Sequence, residues 1–103
     1  MASSATQYKI DIAPEVAEEI ENIYLYISMD SPQNALQWYF DIYDRVQSLK
    51  DLPTRCPMAF ESRYYDFEIR HLIFKKYRIL FRIQNKTIQI IHIRHTAQKR
   101  SLF

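Results

Sequence analysis

At 103 residues, 48% apolar and 25% charged with a formal net charge of +2, the chain is a single small domain, 1–103, able to bury a core. As a whole it is too weakly basic to be a polybasic nucleic-acid binder, so any electrostatic role must come from local clustering. Glycine is absent, which excludes Walker, Rossmann and nucleophile-elbow motifs, each of which needs it for a tight turn or a close backbone approach.

The single cysteine, Cys56, excludes an internal disulfide and a multi-cysteine zinc site. The opening Met1-Ala-Ser-Ser-Ala lacks the charged and apolar regions of a signal peptide, and no apolar run is long enough to span a bilayer. A reducing, cytoplasmic setting and no membrane partner are therefore expected. Charge is uneven along the chain: Glu15, Glu18, Glu19 and Glu21 are acidic, whereas Lys75, Lys76, Arg78, Arg82 and Lys86 are basic, as are Arg94, His95, Lys99 and Arg100.

In chain order, Tyr8, Ile10 and Ile12 alternate with Lys9 and Asp11, the pattern of a short strand. Pro14 suits the first turn of a helix, and Val16, Ile20, Ile23 and Ile27 then recur on one face, predicting a helix from Pro14 to Met29. Asp30 or Ser31 with Pro32 restarts a second helix, to Asp51, with Ala35, Trp38, Ile42, Val46 and Leu49 on its apolar face. So short a connector makes the pair an antiparallel hairpin. Leu52 to Arg63, with prolines on either side of Cys56, reads as a loop.

Phe67 to His95 reads as a three-stranded meander, with Asn85-Lys86 as a two-residue turn. The string β-α-α-β-β-β predicts an α+β fold, a helical hairpin on one face of a twisted antiparallel sheet, with the other face free to bind. Pairing about Asn85-Lys86 sets Ile83 opposite Ile88 and Phe81 opposite Ile90. The apolar pattern then changes phase at Ile90-Ile91. A bulge near Ile91 brings Arg78, His92 and Arg94 to one face; without it Arg78 and Arg94 face opposite ways.

The candidate functional residues lie in this meander. Arginine on a strand can aim directed donors at phosphate or carboxylate, or can simply be a solvated face. His71, His92 and His95 lack metal-ligand spacing and have cationic neighbours, so no metal and no cofactor is expected. An RNA-cleaving site is chemically conceivable, with His95 as acid or base and Arg70, Arg78 or Arg94 as the charge on the phosphate. The aromatic residues Tyr24, Tyr26, Trp38, Tyr39, Phe40 and Tyr43 have helical spacing and read as hairpin core and rim.

The ordered set of Ala13-Pro14, Ser31-Pro32-Gln33-Asn34-Ala35, Leu49 to Pro53, Ile69-Arg70, Tyr77-Arg78-Ile79-Leu80-Phe81 and Ile93-Arg94-His95 resembles the RelE/ParE superfamily of toxins from type II toxin–antitoxin modules. The resemblance implies a bacterial or plasmid-borne growth inhibitor, serving plasmid stabilisation, that a cognate antitoxin neutralises by laying helical and extended segments over it. It also implies assembly as a homo-oligomer or a toxin–antitoxin hetero-oligomer. RelE-like members cut mRNA on the ribosome, and Arg78 and Arg70 match arginines of that site. ParE-like members inhibit DNA gyrase.

The departures decide between them. Ahead of Arg70, where the nucleases carry lysines, stand Asp66 and Glu68, which would repel RNA phosphates, and the C-terminal tyrosine position is nearest to Phe103. The resemblance therefore favours a ParE-like gyrase inhibitor, with Arg70, Arg78, Arg94, His95, Lys99 and Arg100 as target-binding residues. The alternative is a ribosome-dependent mRNA endonuclease using Arg70, Arg78 and His95. A second alternative is an inactive module member acting as an antitoxin-bound co-repressor.

Overall fold

The computed structural model describes residues 7–98. Strand β1 (Lys9–Ile12) leads into helix α1 (Pro14–Ser28), helix α2 (Pro32–Gln47) and then strands β2 (Arg70–Phe74), β3 (Tyr77–Gln84) and β4 (Thr87–His95). This is the α+β order read from the sequence. One feature of the sheet differs from the all-antiparallel expectation. The strand order is β1-β4-β3-β2, and β1 pairs with β4 in parallel, so the sheet is mixed. Alternation reports which side chains are buried but not the direction in which a strand's neighbour runs, so the sequence could not decide this.

Pro14 occupies the first turn of α1, and α2 starts at Ser31, whose Oγ accepts from the Asn34 N–H at 3.2 Å. Val16 and Ile20 of α1 and Trp38, Ile42 and Val46 of α2 are buried in one core, and Ala35 of α2 is buried as well. The sheet supplies Leu72, Phe74, Ile79, Phe81, Ile88 and Ile90 to the same core. Trp38 packs on Phe74 and Tyr77 with ring centroids 6.1 and 5.7 Å away, and Tyr39 makes edge contacts with Tyr24 and Tyr43, so the aromatic set is indeed hairpin core and rim.

The second face of the sheet is not bare. The segment between α2 and β2 folds back over it as a strap, through a Met58–Arg70 bridge, an Ala59 N–H to Ile69 carbonyl bond of 2.7 Å and a 3-10 turn at Phe60–Tyr64. Ala59, Ile69 and Leu80 are buried there, with Tyr65, Phe67 and Ile91 packed around them. Arg45 of α2 donates to the Ile73 carbonyl at 2.9 Å, and the strap carbonyl of Pro57 accepts from His71, so the outer edge of β2 is blunted by its own chain.

With no glycine, residues of other types occupy every left-handed position among the described residues: Leu52, Lys75, Asn85 and Lys86. Asn85 and Lys86 have φ of 51° and 64°, the twist a two-residue hairpin turn requires.

Candidate functional site on the strand meander

Pairing of β3 with β4 runs Gln84–Thr87, Ile83–Ile88, Arg82–Gln89 and Phe81–Ile90, and then shifts so that Leu80 lies opposite His92 and Arg78 opposite Arg94. Ile91 is the extra residue. Of the two registers that the phase change left open, the bulged one is present, and it turns Arg78, His92 and Arg94 toward the strap side of the sheet.

Arg78 is only 5% exposed, and its partner there is Glu61 of the strap, equally buried. The pair is bidentate, Nη1 to Oε1 at 3.1 Å and Nη2 to Oε2 at 2.5 Å, and Arg94 Nε lies 3.6 Å from the same carboxylate. Arg78 Nη1 is also 3.2 Å from His71 Nδ1. A guanidinium only donates, so that histidine nitrogen must accept and its proton sits on Nε2. On the far side of the cluster the Tyr65 hydroxyl and His92 Nε2 are 3.2 Å apart.

The electrostatics follow from burial among fixed cations. Burial alone would raise the Glu61 carboxyl, but hydrogen bonds from Arg78 and from its own backbone, with the charges of Arg78 and Arg94, carry it below the ordinary glutamate value. His71 is held below the ordinary histidine value first by burial and then by Arg78. His92 is lowered by burial and by Arg94, with Glu61 and Glu15 opposing. In both imidazoles the surroundings favour the neutral form.

The other candidates lie elsewhere. Arg70 pairs with Phe81, on the helix side of the sheet, where its Nη1 donates to the carbonyls of Cys56 at 2.6 Å and Thr54 at 3.4 Å. Its ion pair with exposed Glu68 is 3.7 Å long. His95 pairs with Tyr77, also on the helix side, with its ring 5.2 Å from the Tyr77 ring and its Nδ1 accepting from the Ala97 N–H at 3.0 Å. Phe81 and Tyr77 are four residues apart on β3, about 13 Å along the strand. Arg70, Arg78 and His95 therefore do not converge on one face. Lys99, Arg100 and Phe103 lie outside the described residues.

Beyond Ile90, β4 outruns β1, and a cleft of ≈ 580 Å³ opens between it and the start of α1, with Glu15 and Glu19 on one wall and His92 and Arg94 on the other. Among the described residues no group of three or more His, Cys, Asp or Glu could hold a metal ion, and no helix is long and apolar enough to cross a membrane.

Sequence reasoning missed Glu61. It lies in a segment without periodicity, 17 residues from Arg78, so no local pattern marks it.

No curated protein sequence matches the chain. A solved structure described as the chromosomal ParDE TA system from P. aeruginosa aligns with a TM-score of 0.70 at 22% identity, over 87% of this chain and 97% of that one. At that identity the likeness is one of fold. The profile of the ParE toxin of the type II toxin–antitoxin system parDE matches residues 10–100, nearly the full length, and the chain therefore belongs to that toxin family.

Proposed function

We propose that this chain is a growth-inhibiting toxin that acts in the bacterial cytoplasm by binding DNA gyrase, not by cutting RNA. The observation that carries the reading is the engagement of the two motif arginines by their own chain. Arg78 is held by a bidentate contact with buried Glu61, and Arg70 by the carbonyls of Cys56 and Thr54, on opposite faces of the sheet. A phosphate in a pentavalent transition state needs donors preorganised and open toward it, and a buried carboxylate beside Arg78 repels it.

In this reading Arg70 and Arg78 hold the meander in shape, and the target is met by the basic C-terminal run of Arg94, His95, Lys99 and Arg100. The antitoxin of the module covers the apolar outer face of the hairpin, where Tyr26 is 72%, Met29 84% and Phe40 59% exposed.

Purified toxin should inhibit supercoiling by gyrase and should leave ribosome-bound mRNA uncut in primer extension. Cuts at codon boundaries that vanish with Arg78→Ala, with supercoiling normal at saturating toxin, would replace this reading by the mRNA endonuclease. Inactivity in both assays, with antitoxin binding retained, would leave the co-repressor role.

A further inference from the structure

The cluster beneath the strap joins half-buried His71, His92 and Arg94 to the buried pair of Arg78 and Glu61, and neither histidine has a role in the function proposed above. We infer that the strap, residues 57–68, is an acid-released clamp: a proton added to His71 breaks the Arg78–Glu61 contact and lifts the Phe60–Tyr64 turn off the sheet.

The geometry makes His71 the trigger. Its Nδ1 accepts from Arg78 Nη1 at 3.2 Å, so protonation sets donor against donor and cation against cation. The groups around it are Arg78 from β3 and Glu61 from the strap. Glu61 is in turn held by Arg78 and by Arg94 from β4. His92 behaves differently. It faces Tyr65 of the strap, with Arg94, Glu61 and Glu15 of α1 nearby, and once protonated it can still donate to the Tyr65 oxygen. Its contact survives the proton, whereas that of His71 does not.

The strap is also the part of the molecule that can leave alone. Three buried apolar residues, Ala59, Ile69 and Leu80, anchor it, against thirteen in the core on the helix side. Polar ties hold it as well: the Met58–Arg70 bridge, an Ala59 N–H to Ile69 carbonyl bond of 2.7 Å, a His71 N–H to Pro57 carbonyl bond of 3.1 Å, an Ile69 N–H to Ser62 Oγ bond of 3.0 Å and the stacking of Arg82 on Phe67. Opening would uncover Leu80 and turn the Arg78 guanidinium to solvent on the sheet surface.

The test is amide hydrogen exchange on the full chain, corrected for the intrinsic pH dependence of exchange, at about pH 7.5 and about pH 5, which bracket histidine titration. The amides of Ala59, Tyr65 and Ile69 should lose roughly tenfold or more of their protection at the lower pH, the scale of one unit of proton linkage, while those of Ile42 and Val46 hold. His71→Asn, which keeps an acceptor facing Arg78 but cannot titrate, should abolish the loss, and His92→Asn should retain it. Unchanged strap protection in the wild type, a loss that survives His71→Asn, or an equal loss in α2 would each overturn the proposal. Should His71→Asn fail to fold, the His71 imidazole titration by NMR in the wild type decides, since its midpoint must coincide with strap opening.

Discussion

Glu61 and Arg78 carry opposite charges into a space where neither sees much water, so the worth of each depends on the other. Removing the carboxylate alone leaves buried Arg78 without its bidentate partner, and Glu61→Ala should cost about 3–5 kcal/mol in urea denaturation. Replacing both partners by apolar residues of similar volume, Glu61→Leu with Arg78→Met, should cost far less, because the desolvation of both charges disappears with their attraction. The pH dependence has a definite sign. His71 and His92 are lowered in the fold, so as pH falls below the ordinary value of 6.5 the unfolded chain takes up protons first and stability declines. Glu61, also lowered, contributes stability that is present above its ordinary value of 4.5 and is lost as pH falls through its folded value. Unfolding free energy measured by denaturant should therefore fall in two stages between about pH 7 and about pH 3, and His71→Asn should shrink the upper stage to the share of His92.

At the scale of elements, the bulge in β4 decides which side chains meet. Were Ile91 paired opposite Leu80 instead of bulged, the register set by Phe81 and Ile90 would continue in phase and carry Arg94 to the helix side, into the core that Ile93 now fills. Because Ile91 is the surplus residue, deleting it should leave Leu80 opposite His92 and Arg78 opposite Arg94 in an unbulged ladder, and the variant should retain near-UV circular dichroism and cooperative melting. Leu52, with φ 53° and ψ 62°, is a second point of local stress, and it is 69% exposed, so its side chain contributes little packing. Leu52→Gly should raise stability by roughly 0.5–1 kcal/mol, the left-handed penalty less the extra freedom glycine has when unfolded.

Across the whole molecule, the apolar side chains are divided between a core and an outer face of the hairpin that nothing among the described residues covers. Phe40 is 59% exposed, and its ring lies 6.2 Å from that of Tyr39. Phe40→Ala should weaken antitoxin binding by roughly tenfold or more, as for an aromatic anchor, while leaving stability within about 0.5 kcal/mol. Titration calorimetry of the variant against the antitoxin, with denaturation of the free toxin alongside, separates the two effects.

What the sequence by itself determined are the features set by local rules. Apolar spacing in Val16 to Ile27 and Ala35 to Leu49 placed both helices, Ser31-Pro32 placed the break between them, and Asn85-Lys86 placed the last turn. Ile90-Ile91 interrupts a period of two and so marked the place of the bulge, but it left the bulged and unbulged registers both open. Only the tertiary structure decided the parallel docking of β1 on β4, the strap over the second face and the partnership of Arg78 with Glu61. The physical reason is common to all three. Each depends on groups distant in sequence meeting in space, and a carboxylate buried by such a meeting looks in sequence like any other charged loop residue.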